Sequence, residues 1–396
     1  MKIAILNNDF RVYWKGRLIY LYQYLSELNN EVSAIELFGK GSAYTFDHYN
    51  NKENWWTCLF PDNEADDLSD YDIKQKLFEA LNKINPDVII APSIVFYAGA
   101  LGLQWAKRHK KKFIMFDDAK PSQFKRNPVV QWVKDLIAEQ SDALWLPSND
   151  FDEEYARFIQ KKVLVFYGFS CIDNNLFKSD KVNSFKNNRI ICVSRLVPKK
   201  NISLLLKSWQ QVEVSAPEYK LTIVGTGPEM DDLINLSKSL SLHQVEFLGA
   251  VNNTDLPSYY HASDAFIFPS LSEPWGLVVN EAMAAGLPVL LSRKVNACLS
   301  LLKEDINGYS FDPDSTDQIT KAILKYISLG AESKKSMSVK SLEIISDMSY
   351  GKMGLQLTEA LNKITLSKFK SPGLLAGLMV NLWNGKYDTS AWDVIK

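Results

Sequence analysis

The stretch Phe268–Ser292, FPSLSEPWGLVVNEAMAAGLPVLLS, reads as strand, turn, helix and strand in close succession. AFIFP (265–269) is a short apolar run of the kind that forms a buried strand. SLSEPWG is rich in Ser, Pro and Gly, the residues of tight turns. LVVNEAMAA follows as a helix, Gly286 stops it and Pro288 begins the next strand. A strand that returns through a helix to another strand belongs to a parallel sheet. Two carboxylates lie here, Glu273 in the turn and Glu281 in the helix, with seven residues between them. The turn stands at a strand's carboxyl end and a helix's amino end. Backbone N–H groups around Trp275, Gly276 and Leu277 can receive an anion there, and phosphate is the natural guest. Glu273 cannot itself favour an anion, but it can accept hydrogen bonds from hydroxyls beside one, and Glu281 can do the same for a ribose diol. The plainer alternative makes Glu273 a helix cap and Glu281 a solvated helix residue.

The same alternation runs outward along the chain. In the first half the strand candidates are Lys2–Leu6, Val32–Leu37, Val88–Ala91, Lys112–Phe116 and Ala143–Leu146. Helical patterns such as GRLIYLYQYLSEL, IKQKLFEALNKI and VFYAGALGLQWAKRH separate them. In the second half RIICVSR, KLTIVG, VEFLG, AFIFPS and PVLLS are strands, parted by SLLLKSWQQV, EMDDLINLSKSL, TDLPSYYHAS and VVNEAMAAG. The polar stretch near 168–188 reads as the linker. Two doubly wound sheets follow, and ligands of such sheets bind at the carboxyl ends of strands.

Composition narrows the function. The 396 residues are 46% hydrophobic and 23% charged with a net charge of -1, a soluble globular balance with no basic field for nucleic acid. Cys58, Cys171, Cys192 and Cys298 form no CxxC pair and read as reduced thiols of a cytosolic protein. His48, His109, His243 and His261 are scattered, so no metal-ligand spacing exists. MKIAILNND is a strand, its apolar run too brief for a signal peptide, and no run of 18 apolar residues occurs. The apolar tail SPGLLAGLMVNLWNGKYDTSAW either docks on the protein or touches a membrane surface, and its modest flanking charge favours docking. RHKKK (108–112) reads as a solvated helix end in preference to a lipid-phosphate patch, and NWWTCLF (54–60) as a stacking surface or as core.

Two further loops sit at strand ends. VSRLVPKKN (193–201) places Arg195, Lys199 and Lys200 after RIICV; Arg offers a planar fork to phosphate oxygens and Lys a compact charge. Alone it would be a basic surface loop. IVGTGPEMDDL adds Gly225, Gly227 and Pro228 in a tight turn that lacks the dinucleotide fingerprint.

SRLVPKKN, IVGTGPE, VEFLGAV, FPSLSEPWGLVVNEAMAAGLPVLLS and NGYSF, in that order, resemble the nucleotide-sugar-binding half of GT-B glycosyltransferases, specifically the retaining family 4. The resemblance covers Arg189–Asp312 most strongly. It implies a GT-B fold: two doubly wound Rossmann-like parallel-sheet domains facing across a cleft. Residues 1–168 would bind the acceptor, joined by a tail, 372–396, that crosses back, and residues 169–371 would bind the nucleotide sugar. By position, Arg195 and Lys200 match the pair that neutralises the donor diphosphate. Glu273 matches the glutamate that reaches the transferred sugar, and Glu281 the one that binds the ribose. Gly276 and Leu277 match the amides on phosphate, and Gly225 and Gly227 the turn beside the nucleotide. Asp173 matches an interdomain aspartate and reads as a hinge or structural residue.

The implied activity is transfer of a hexose-type sugar, with retention and without a metal, from a nucleoside diphosphate donor to a hydroxyl of a glycan or lipid-linked acceptor. Arg195, Lys200 and the helix end would stabilise the leaving diphosphate, and no cofactor is needed. The first half departs from the family. Its usual Gly-Gly loop is replaced by NNDFRVYWKGRLIYL, where Gly16, flanked by Lys15 and Arg17, is the residue left for donor contact. The usual histidine is replaced by FDDAKP, whose Asp117 and Asp118 can touch sugar or acceptor or simply cap a helix. RKVNACLSLL also departs from the family's pattern after the last strand. The expected location is the cytoplasm, with peripheral contact at the inner face of a membrane as the further option. The rival readings are a nucleotide-sugar hydrolase or epimerase and a catalytically silent nucleotide-sugar-binding scaffold.

Overall fold

A computed structural model of the chain describes residues 1–11, 13–41, 53–123, 127–178, 185 and 187–386. They form two compact units. Among the described residues, unit 1 is Met1–Ser170 together with Tyr350–Lys386, and unit 2 is Cys171–Ser349. The helix Tyr350–Leu366 packs on the helix Tyr13–Glu27 and on the last strand of unit 1. The return to unit 1 thus comes at Tyr350, ahead of the expected residue 372. Its buried stripe, Met353, Leu357, Ala360, Leu361 and Ile364, has helical spacing, so the whole helix commits to one core. Tail residues 387–396 lie outside the described residues.

Unit 1 holds strands β1 (Lys2–Asn7), β2 (Glu31–Phe38), β3 (Trp56–Phe60), β4 (Val88–Pro92), β5 (Lys112–Phe116), β6 (Ala143–Leu146) and β7 (Leu164–Tyr167). They form one parallel sheet in the order β3-β2-β1-β4-β5-β6-β7. Unit 2 holds β8 (Arg189–Val193), β9 (Lys220–Val224), β10 (Val245–Gly249), β11 (Ala265–Phe268), β12 (Val289–Ser292) and β13 (Gly308–Phe311), ordered β10-β9-β8-β11-β12-β13, also parallel. Strands such as Val88–Pro92, Ala143–Leu146 and Ala265–Phe268 are buried at every residue, as strands covered on both faces must be. Each sheet reverses its winding once, between β1 and β4 and between β8 and β11, and such switch points are where α/β sheets take ligands.

β3, β7 and β13 escaped the sequence reading. Trp56, Leu59 and Phe60 of β3 are buried, which settles NWWTCLF largely as core, while Trp55 stacks on Tyr22 with ring centroids 4.0 Å apart. Asp173 caps the helix Asn174–Phe177 by accepting the Asn175 N–H at 3.0 Å, a structural role.

Candidate active site

The switch point of unit 2 is built from the loop after β8 and the turn after β11. Lys200 closes the short helical turn Pro198–Lys200, and Asn201 follows in the left-handed region at φ 59°. The buried Asn201 side chain donates to Pro269 O at 3.3 Å and Pro313 O at 2.8 Å. Leu271 N donates to Lys199 O at 2.9 Å, and Ser270 Oγ to the same oxygen at 3.1 Å. The lysine loop is therefore laced to the turn that carries Glu273. Lys200 Nζ donates to Glu273 Oε2 and also stands 5.1 Å from the centre of the Phe268 ring. The side chains of the pair are only 12% and 17% exposed, so the bond is partly shielded from water and is worth more than a surface pair. Arg195 is half-buried on the same loop.

The turn itself is held from the other side. Glu273 N donates to Lys294 O, and Asn296 N to Glu273 O, both at 3.3 Å. Asn296 Nδ2 donates to Pro274 O at 2.8 Å, and Trp275 Nε1 to Asn280 Oδ1 at 2.9 Å inside the fold. Gly276 starts the helix Leu277–Ala284 at φ 99°, a left-handed conformation that favours glycine. It brings no capping side chain, and the first turn of a helix has amides without intrahelical partners. The arrangement, a lysine–carboxylate pair beside an uncapped helix start with Arg195 on the lysine's loop, can hold a phosphate and a hydroxyl next to each other.

Gly225 and Gly227 belong to the scaffold of this site. Ser194 N donates to Val224 O at 3.0 Å and Leu196 N to Thr226 O at 2.8 Å, so the loops after β8 and β9 run side by side. A Cβ on Gly225 would stand 1.8 Å from Ser194 O, and one on Gly227 2.2 Å from Leu196 O. The glycines make room for the arginine loop's backbone, where the sequence reading left room for a ligand.

Glu281 is the clearest departure from its plainer alternative. It is buried, and its Oε2 accepts the Tyr260 hydroxyl at 2.8 Å. A solvated helix residue would do neither. Tyr260 is fully buried, edge-on to Phe177, whose carbonyl meets His261 Nε2 at 2.7 Å. Tyr260, Asn201 and Asn296 support the site and were not singled out from sequence, because each acts through a distant segment.

The remaining sequence candidates lie in unit 1. Gly16 is inside the helix Tyr13–Glu27, not in a loop, and a Cβ there would meet the Tyr350 hydroxyl at 2.4 Å. Its smallness admits Tyr350, which accounts for the glycine without a donor. Arg17 is buried against the rings of Trp14 and Phe169. Asp117 and Asp118 follow β5; Asp117 is half-buried and accepts the Ala119 N–H at 3.1 Å, while Asp118 is exposed. Beside them the carboxyl edge of this sheet is aromatic, with Trp14 against Phe116 at 4.5 Å and Phe116 against Phe169 at 5.5 Å between centroids. Behind it the buried Glu36 carboxylate accepts Phe10 N at 3.0 Å and Trp56 Nε1 at 3.1 Å. Burial pushes its pKa from 4.5 to about 7. Among the described residues no group of His, Cys, Asp and Glu is placed to hold a metal ion.

Residues 174–341 match the family model for "Glycosyl transferases group 1". An uncharacterized glycosyltransferase of Haemophilus influenzae is 32% identical over 151 residues, 38% of this chain and 42% of that protein. The chain thus spans less than half the length of that relative. Sucrose-phosphate synthase from Thermosynechococcus elongatus superposes with a TM-score of 0.74 at 17% identity, over 92% of this chain and 99% of that one. Anabaena HepE, solved in complex with UDP, gives 0.72 at 19% identity, over 92% and 100%. The fold is that of the GT-B glycosyltransferases, as the sequence led one to expect.

Proposed function

We propose that the protein is a retaining glycosyltransferase of family 4 that moves a hexose-type sugar from a nucleoside diphosphate to an acceptor hydroxyl, without a metal ion or other cofactor. The observation that carries this reading is the meeting of Lys200 and Glu273 at the switch point of unit 2, beside Arg195 and the uncapped helix start at Gly276. The match of residues 174–341 to a glycosyltransferase family supports it, as does a structural neighbour that binds UDP.

Glu273 occupies one donor of Lys200. An ammonium has three donors, so an arriving diphosphate can take another while the carboxylate turns a second lone pair to a sugar hydroxyl. The bond from the anomeric carbon to the phosphate oxygen breaks, and its electron pair stays on the diphosphate. Arg195, Lys200 and the amides of Gly276 and Leu277 meet that developing charge, the work a divalent ion does in other transferases. The acceptor oxygen bonds to the anomeric carbon on the face the leaving group vacates, and its proton passes to the departing phosphate. Glu281, held by Tyr260, is assigned to the ribose. Gly225 and Gly227 act by seating the arginine loop, and Asp117 and Asp118 are the remaining sugar or acceptor contacts.

The acceptor we assign is a glycan or a lipid-linked glycan of bacterial surface polysaccharide synthesis, met in the cytoplasm at the inner membrane face. No helix among the described residues is long and apolar enough to cross a membrane. The test is a screen of UDP-, GDP- and ADP-sugars that follows nucleoside diphosphate release and thermal shift. One donor class should raise the unfolding temperature and release its diphosphate faster when acceptor is added. Release at full rate without acceptor would instead mark a hydrolase, and unchanged binding and turnover in Lys200→Ala would sink the site assignment.

A further inference from the structure

We propose that a face of unit 1, formed by the helices Pro128–Ala138 and Leu374–Leu382, docks on an anionic lipid surface. This deepens the membrane-side assignment above but does not depend on the donor chemistry of unit 2.

The helix Leu374–Leu382 has nine residues, about 14 Å of length at 1.5 Å per residue, far too short to span a bilayer. Ala376 and Val380 face inward and seat it on the helices Pro128–Ala138 and Tyr97–Arg108. Leu374, Leu378 and Leu382 recur every four residues and form a stripe on the other face, with Leu375 beside them. Leu374 is 98% exposed and Leu382 69%. The packed neighbour leaves Val129, Val130 and Trp132 exposed as well. Single exposed leucines are ordinary, but adjacent helices that both turn apolar side chains outward mark a binding surface.

The stripe is not a loose end. Before it, Lys112 Nζ donates to Ser367 O at 3.0 Å and Lys368 O at 3.1 Å. After it, Trp383 Nε1 donates to Ile94 O at 2.7 Å, Gln104 Nε2 to Trp383 O at 2.6 Å, and Lys386 N to Val95 O at 2.8 Å. The chain is tied at both ends, and the leucines between the ties point to solvent.

Charge selects the occupant. From Ala360 to Lys386 the sequence has Lys363, Lys368, Lys370 and Lys386 and no Asp or Glu. From Val88 to Phe116 it has Lys107, Arg108, Lys110, Lys111 and Lys112, again with no acid. Arg108 donates from Nε and Nη2 to Asn381 Oδ1 at 3.0 and 2.9 Å, which sets its guanidinium on the flank of the leucine helix. Lys134 Nζ lies 5.6 Å from the Trp383 ring centre. The acids nearby have their own partners: Asp142 with Lys107 and Lys112, Asp87 with Lys111, Asp135 and Glu139 with Arg157, and Asp70 with Tyr97 and Asn384. Arg108 and Lys134 thus stand at the leucine helix, and Lys110, two residues after Arg108, and Lys368 and Lys370, just ahead of Leu374 in the chain, are exposed. An apolar stripe with a rim of lysine and arginine and a tryptophan at its edge suits the headgroup layer of an anionic membrane.

Flotation of the full chain with phosphatidylcholine vesicles, with and without phosphatidylglycerol, tests this. The wild-type chain should float with the phosphatidylglycerol vesicles and far less with the neutral ones. Leu374→Glu/Leu378→Glu should weaken binding at least about tenfold, since each leucine loses its burial in the lipid. Lys368→Ala/Lys370→Ala should lose roughly twentyfold on the anionic vesicles and nothing on the neutral ones. Both variants should still fold, with unfolding temperatures close to wild type, because Leu374 is 98% and Leu378 53% exposed and Lys368 and Lys370 are exposed. The proposal is overturned if the wild type does not float with anionic vesicles, or if the leucine variant floats as well as it. Concentration-dependent dimers that Leu374→Glu abolishes, without vesicle binding, would make the stripe a contact between two copies instead.

Discussion

The two sheets place a helix start at the same topological position, and they finish it in opposite ways. In unit 1 the helix Tyr97–Arg108 follows β4, and the Asn8 side chain from the neighbouring switch loop accepts the Ala98 N–H on its Oδ1 at 3.0 Å. The protein caps that helix itself, in an interior where Asn8 is buried. In unit 2 the helix Leu277–Ala284 follows β11, and its cap is Gly276, which has no side chain to give. The neighbouring switch loop brings Lys200 instead of an amide oxygen, and Glu273 holds that lysine in place. The same strand order therefore yields one end that is closed by its own residues and one that is ready for an anion. The rims differ accordingly. Unit 1 has rings, Trp14, Phe116 and Phe169, and unit 2 has Arg195 and Lys200.

Substitutions can break this contrast in graded steps. Gly225→Ala should be the most severe, since a Cβ would stand 1.8 Å from Ser194 O on a backbone at φ 128°. A loss of about 4 kcal/mol is expected from clash plus strain, read as a lower denaturation midpoint of unit 2. Glu273→Gln keeps shape and removes charge. Turnover should fall about a hundredfold, while diphosphate affinity holds or rises because Lys200 is released from its pair. Affinity that falls with turnover would show that Glu273 serves only to place the lysine.

Unit 1 offers a pH test. The folded pKa of Glu36, about 7, lies above the unfolded value of 4.5, so between those values the native state holds the extra proton. Its contribution is then favourable at low pH and is lost as pH rises through that window, by about 2 to 3 kcal/mol. Glu36→Gln should flatten the stability profile between pH 5 and 7, measured by urea titration at stepped pH, as expected for a shift of the kind described. The smallest effect is expected for Asn8→Ala, about 1 kcal/mol of thermal stability from the lost cap, with diphosphate binding untouched.

How far the sequence carries is clear from particular residues. Ten of the strands could be read because their apolar runs sit between turn residues. Trp56–Phe60 hides as an aromatic cluster, Leu164–Tyr167 runs directly into the polar stretch read as the linker, and Gly308–Phe311 carries a Gly and a Ser among its four residues. The lysine loop, the Glu273 turn and the Gly276 helix start are local features, so sequence spacing reveals them. Tyr260 beneath Glu281, Asn201 on Pro313 and Tyr350 against Gly16 depend on segments far apart in the chain, and only the fold brings them together. Gly16 is instructive: a glycine near the first strand suggests a phosphate loop, yet here it is room for a tyrosine.

The account rests on unit 2 holding a diphosphate at its uncapped end. Calorimetric titration of UDP, GDP and ADP in the presence of a chelator, with wild-type chain and with Lys200→Ala, tests that most directly. At least one nucleotide should bind the wild type, and Lys200→Ala should weaken it tenfold or more, the usual scale of a charge-assisted phosphate contact. Equal affinities in the two proteins, or no binding of any of the three, would contradict it.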